Sequence, residues 1–109
     1  MMDEILKGKK LAMRFLASRR YTSREIFDKL RRKGYSSELA ESIVSELISE
    51  GFLDDKHYAD CYIADGVNIG YKGTFRIRQE LLRKGVSSSI IDRAFDEADV
   101  DPELSLIHI

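Results

Sequence analysis

Arg32-Lys33-Gly34-Tyr35-Ser36-Ser37 returns later in the chain as Arg83-Lys84-Gly85-Val86-Ser87-Ser88, with five of the six residues identical. Each part of the string has a job at a helix boundary. Cations suit a helix C-terminus, glycine takes the left-handed turn that closes it, and serine caps the helix that follows. Leu30 precedes the first copy as Leu81 precedes the second, and Glu25-Ile26 is echoed by Arg76-Ile77. A repeat of this kind predicts a tandem of three-helix units. Every strong period in the sequence is helical and strand-type alternation is absent over any useful length, so the fold class is all-α, elongated, with about six helices.

Between the two copies lies Gly51-Phe52-Leu53-Asp54-Asp55, where the halves meet. Gly51 can close the helix before it, and Asp54 or Asp55 can accept the free N–H groups of the helix after it. Phe52 and Leu53 are expected to be buried anchors. The first unit, residues 1–53, holds three helices. One over residues 8–18 pairs Leu11 with Phe15 and Ala12 with Leu16, leaving Lys9, Lys10 and Arg14 for solvent or a partner. The next starts with Thr22 as N-cap and Glu25 three residues on, a capping box, with Tyr21 placed to staple onto Ile26. It buries Ile26, Phe27 and Leu30 and ends at Gly34. The third begins near Ser36 or Ser37 and carries the stripe Leu39, Ala40, Ile43, Val44, Leu47 and Ile48.

The second unit, residues 54–100, follows the same plan. Tyr58, Ala59, Tyr62, Ile63, Gly66 and Val67 form one face of its first helix, which the glycines at 66, 70 and 73 loosen and then terminate. Ile90, Ile91, Ala94, Phe95 and Ala98 repeat the stripe of the third helix. Residues 101–109 read as the start of a further helix, capped at Asp101-Pro102-Glu103, or as a non-native tail. Their apolar end offers a surface to a second copy.

With 109 residues, 43% hydrophobic and 34% charged, the composition is that of a soluble globular chain with little room for a large buried active site. No run approaches the roughly 18 apolar residues of a membrane span, and the start Met1-Met2-Asp3-Glu4 lacks a signal peptide's basic region. No membrane partner and a cytoplasmic home are expected. Cys61 is the one cysteine and reads as a core residue. The net charge of −1 conceals a sorting of charge: residues 7–33 hold eleven bases against two acids, residues 34–70 one base against eight acids, residues 71–85 five against one, and residues 86–109 one against six. Either basic helices lie against acidic ones and neutralise them, or the bases form a stripe facing phosphates or an acidic protein surface.

Candidates for chemistry are few. His57 and Cys61 are four apart, but two ligands do not make a zinc site. Asp54 and Asp55 read as helix caps rather than paired acid-base carboxylates. No Ser, His and acid constellation stands out, which argues against an enzyme, and no cofactor is implied. Gly70-Tyr71-Lys72-Gly73-Thr74 is either an anion contact before a helix or a plain inter-helix connection. If Ile26, Phe27 and Leu30 point inward, then Arg24, Asp28, Arg31 and Arg32 point outward, as do Arg76, Gln79 and Arg83 in the second unit. Arg24, Arg31, Arg32, Lys72, Arg76, Arg83 and Lys84 are therefore the candidate recognition stripe, presenting the same charges twice. The alternative is a solvated face whose C-terminal cations complement helix dipoles.

The order and spacing of these motifs resemble the bacterial RecX regulators of the RecA recombinase. The resemblance rests on Tyr21-Thr22-Ser23-Arg24-Glu25-Ile26 with Leu30, Lys33-Gly34-Tyr35, the Gly51 to Asp55 stretch with Tyr58-Ala59, and Gly73 with Ile77-Arg78-Gln79-Glu80-Leu81 and Lys84-Gly85-Val86. It covers residues 9–98. Members of that family typically have three tandem three-helix repeats, and this chain has room for two. The resemblance implies a protein that is not an enzyme but binds the RecA filament on single-stranded DNA and restrains its ATP hydrolysis, strand exchange and growth in DNA repair and recombination. A small helical module acting directly on DNA is the alternative, with weak, salt-sensitive DNA affinity.

Overall fold

The computed structural model describes residues 2–68, 73–98, 100–101 and 106–107. Six helices follow in order: α1 (Met2–Ser18), α2 (Ser23–Arg32), α3 (Ser37–Ser49), α4 (Asp55–Asn68), α5 (Thr74–Arg83) and α6 (Ser88–Ala98). The chain divides into two compact units, Met1–Asp54 and Asp55–Ile109, each built on three of the helices.

In the first unit Ala12 from α1, Ile26 and Leu30 from α2, and Ala40, Ile43 and Leu47 from α3 are all fully buried, and Leu53 joins them. Each branched side chain so buried contributes about 1.5–3 kcal/mol of hydrophobic stabilisation. The start of α2 is held by the capping box: the Glu25 N–H donates to Thr22 Oγ1 at 3.1 Å and the Thr22 N–H donates to Glu25 Oε1 at 2.9 Å. Tyr21 packs against the same core. Helix α3 is capped by Ser36, whose hydroxyl accepts from the Leu39 N–H at 3.2 Å.

The second unit repeats these devices at equivalent positions. Ile77 and Leu81 of α5 are buried like Ile26 and Leu30, and Ile91 and Ala94 of α6 like Ala40 and Ile43. Gly34 and Gly85 close α2 and α5 with φ of 100° and 93°. The bonds around them match. Tyr35 N–H donates to Leu30 O and Val86 N–H to Leu81 O, both at 3.1 Å, while Gly34 and Gly85 donate to Arg31 O and Leu82 O at 3.1 and 3.0 Å. This is the Schellman pattern, in which only a residue free to adopt positive φ lets the chain turn back onto the last carbonyls. Gly51, φ 84°, ends α3 in the same way. The two α2-type starts differ. Gly73 occupies the N-cap of α5 with no side chain to accept a hydrogen bond, so α5 lacks the capping box of α2.

Three expectations are corrected. Helix α1 begins at Met2 rather than near residue 8, because Gly8 lies inside it. Gly8 is buried, and a Cβ there would lie 2.2 Å from Ile43 Cδ1, so the missing side chain lets α1 close on α3. Of the pair after Gly51, Leu53 is buried in the first core, whereas Phe52 is 49% exposed. Both amides donate to Leu47 O, at 2.9 and 3.2 Å, and the chain that wraps back over α3 turns only Leu53 inward. Ile48, at the edge of the α3 stripe, is half exposed. Beyond α6, β1 (Val100–Asp101) pairs antiparallel with β2 (Leu106–Ile107), Val100 opposite Ile107. Pro102 and Glu103 fall outside the described residues.

Candidate partner-binding surface

With Ile26 and Leu30 directed into the core, the 3.6-residue period of α2 puts Arg24 and Arg31, seven apart, along one outward line. Arg24 makes an i,i+4 pair with Asp28 at 3.7 Å, and Arg31 Nη1 donates to Tyr35 O at 3.1 Å beyond the helix end. Arg32 is exposed, and no ion pair among the described residues engages it. In the second unit Arg76 is exposed and its Nε donates to Glu80 Oε2 at 2.9 Å. Glu80 also accepts from the Tyr62 hydroxyl, tying α4 to α5. Arg83 is exposed and, like Arg32, unpaired among the described residues. Lys84 is half-buried, its ammonium 5.8 Å from the Tyr62 ring centroid. Lys72 and its neighbours Gly70 and Tyr71 lie outside the described residues.

The candidate stripe is thus two clusters, Arg24, Arg31 and Arg32 on α2, and Arg76, Arg83 and Lys84 on or just after α5. Arg32 and Arg83 occupy the same position in their units, as do Lys33 and Lys84, which are the C-caps. Elsewhere the charges are not presented twice. The positions of Arg24 and Arg31 are filled on α5 by Phe75 and Leu82, which are 73% and 41% exposed. Placing the two repeats in register in the sequence carries this signal, but the search for duplicated cations passes over it.

Helix α1 carries a further group that its extended N-terminus exposes. Lys7, Lys10 and Arg14, at spacings of three and four, share its outward face, are all exposed, and have no carboxylate partner among the described residues. Lys9, by contrast, is engaged with α3: its Nζ is 2.6 Å from Glu50 and 3.9 Å from Glu46, and the Glu50 hydrogen bond raises its pKa. Other pairs neutralise charge inside the second unit. Lys56 donates to Asp60 at 3.0 Å and to Glu97 at 2.9 Å, and Arg78 donates to Asp92. The Lys56 bond holds the Glu97 carboxyl below its usual pKa, and Glu97 followed by Asp60 raises that of Lys56. Some bases are thus neutralised by carboxylates of facing helices, and others have no carboxylate partner among the described residues.

Near the α1–α2 connection, Arg19 stacks on the Tyr21 ring at 3.9 Å from its centroid, and its hydrogen bond lowers the Tyr21 pKa. On α4, His57 Nε2 and Cys61 Sγ are 3.6 Å apart on a half-exposed turn. Among the described residues no group of three or more His, Cys, Asp or Glu side chains is placed to hold a metal ion. No helix among them is long and apolar enough to cross a membrane.

Comparison with known proteins places both units. Residues 9–47 match the first three-helix domain of RecX, and residues 54–94 match the second. The chain belongs to the RecX family. The Regulatory protein RecX of Halorhodospira halophila is 37% identical over 90 residues, covering 83% of this chain and 55% of that protein. That of Streptococcus uberis is 30% identical over 95 residues, covering 87% and 37%. The crystal structure of RecX from Lactobacillus salivarius superposes with a TM-score of 0.83 at 30% identity over 89% of this chain and 63% of that one. A second crystal structure of regulatory protein RecX gives 0.85 at 30% identity, over 95% and 51%. The chain thus spans little more than half, or less, of the length of these curated RecX relatives. RecX proteins form a family of regulators rather than of enzymes, and the all-α tandem of three-helix domains is this chain's architecture.

Proposed function

We propose that this chain is a non-enzymatic regulator that binds the filament of the RecA recombinase on single-stranded DNA and restrains its ATP hydrolysis, strand exchange and growth in cytoplasmic DNA repair and recombination. The observation that carries this is the match of both units, in order, to RecX three-helix domains. The chemistry is compatible with it: Arg32 and Arg83 repeat at equivalent helix ends, unpaired among the described residues, and a partner that is itself a repeating polymer can meet the same charge more than once. The test is the single-stranded-DNA-dependent ATPase rate of the cognate RecA, with and without the chain, at several salt concentrations. Inhibition by the native chain and its loss in Arg32→Glu/Arg83→Glu at unchanged helicity is the expected result. Full inhibition by the double variant would remove these arginines from the surface.

A second reading, direct binding to DNA, is favoured by the Lys7, Lys10 and Arg14 row on α1, which has no carboxylate partner among the described residues. From Lys7 to Arg14 the helix rises about 10 Å. Three phosphate contacts to single-stranded DNA would give a log–log salt slope of about −2. Binding to naked DNA with that slope, abolished by Lys7→Gln/Lys10→Gln/Arg14→Gln, supports it. Binding that requires RecA supports the first reading.

A further inference from the structure

The outward face of α5 is built differently from that of α2, and the difference is chemical rather than geometric. Both helices are ten residues long, both end in a Schellman turn, and both bury an isoleucine and a leucine four apart. Along the exposed line of α2 stand Arg24, Asp28 and Arg31; along the same line of α5 stand Phe75, Gln79 and Leu82. Phe75, at 73%, is the most exposed large apolar side chain among the described residues, and Leu82 is 41% exposed. A single exposed apolar residue needs no explanation, but two on one line, two helical turns apart with an uncharged residue between them, make a ridge about 10 Å long.

The ridge is bordered by cations. About a quarter turn around the helix lie Arg76 and Arg83, also seven apart, on one border, Arg76 held by Glu80 and Arg83 unpaired among the described residues. On the other border Arg78 reaches Asp92 of α6, and its Nη1 is buried without a hydrogen-bond partner. An apolar line with an exposed arginine at its edge that no carboxylate among the described residues engages matches a segment that presents apolar side chains beside a carboxylate. A second copy of the same face fits poorly, because a two-fold pairing would set the Arg76 and Arg83 border of one copy against that of the other.

We propose that the Phe75, Gln79 and Leu82 line of α5 is a docking ridge for an amphipathic, acid-flanked segment of a partner protein, with Arg83 pairing a carboxylate of that segment. This rests on the reading that the chain binds a protein filament and names the surface that does so. The two units then divide the work. The α2 face is polar and charged, and the α5 face supplies the apolar anchor that carries most of the energy at a protein interface.

The test is equilibrium binding of the fluorescently labelled 109-residue chain to RecA filaments on single-stranded DNA, with naked single-stranded DNA and the chain alone as parallel arms. Phe75→Ser and Leu82→Ser are expected to keep the native circular dichroism and thermal transition, since both side chains face solvent, and each to weaken filament binding at least about tenfold. Arg83→Glu is expected to weaken it comparably and to reduce its salt dependence, while binding to naked DNA is unchanged by Phe75→Ser. Equal filament binding by the native chain and the two serine variants overturns the docking ridge and leaves the regulator reading intact. No filament binding by the folded native chain overturns the regulator reading, and the ridge with it. If the native chain sediments as a dimer and Phe75→Ser as a monomer, the occupant is a second copy and the proposal is wrong.

Discussion

Gly8 sets two effects of similar size against each other, and the structure decides between them. Glycine inside a helix costs about 0.5–1 kcal/mol relative to alanine, so propensity alone predicts that Gly8→Ala stabilises α1. The new Cβ, however, would stand 2.2 Å from Ile43 Cδ1, with Ile43 Cγ1 and Tyr35 Cε1 at 3.2 and 3.3 Å. The latter two contacts relax with shifts of a few tenths of an ångström. The first requires the Ile43 terminal methyl to swing aside, and because Ile43 is fully buried it does so against packed core. Overpacking of this kind costs about 1–3 kcal/mol, so the net effect expected is a destabilisation of about 1 kcal/mol. The decisive experiment is a double-mutant cycle with Ile43→Val, which deletes Cδ1. Alone, Ile43→Val costs about 0.5–1.5 kcal/mol, whereas in the Gly8→Ala background it removes the clash, giving a coupling of at least about 1 kcal/mol. Native-state hydrogen exchange of the α3 amides reads the stability of the first unit separately from the second. A stabilising Gly8→Ala, or a cycle with no coupling, would refute the packing account.

Two further outcomes concern the helix ends. Thr22→Ala removes a fully buried cap and the bond that the Glu25 N–H donates to Thr22 Oγ1, while the backbone N–H at residue 22 can still donate to Glu25 Oε1, and it is expected to lower the stability of the first unit by about 1 kcal/mol in the same exchange experiment, with little change in the second. In the second unit, the Glu97 carboxyl has a pKa below the usual 4.5 through its hydrogen bond from Lys56. Its stabilising contribution is therefore present above pH 4.5 and disappears as pH falls through the lowered folded value, and Glu97→Gln should flatten that part of the stability–pH curve. Because Glu97 is largely exposed, the effect should be small and diminish further in high salt.

The elements that were legible are those specified by short-range chemistry. The Thr22 and Glu25 capping box, the Ser36 cap and the glycine stops at 34, 51 and 85 each involve residues within five positions of one another, so the string of letters contains both partners. The repeat was legible because the same short-range chemistry was used twice. Arg32 and Arg83 follow from it directly. Phe75 and Leu82 were less visible, since an apolar residue at a helical period reads as core until its neighbours are known to face the other way.

By itself, then, the sequence determined that this chain is a tandem of three-helix RecX-type units, where most helices start and stop, and which arginines recur, because caps, turns and periodicity are local. Only the tertiary structure decided the rest. It showed that Gly8 is a contact between α1 and α3 rather than a boundary, that Leu53 turns inward while Phe52 does not, and that Val100–Asp101 pairs with Leu106–Ile107. It also separated bases held by carboxylates, such as Lys9 and Lys56, from those with no carboxylate partner among the described residues, such as Lys10 and Arg83. The physical reason is common to all of these. Burial, close approach and ion pairing depend on residues far apart in the chain, and their distances exist only once the helices are packed.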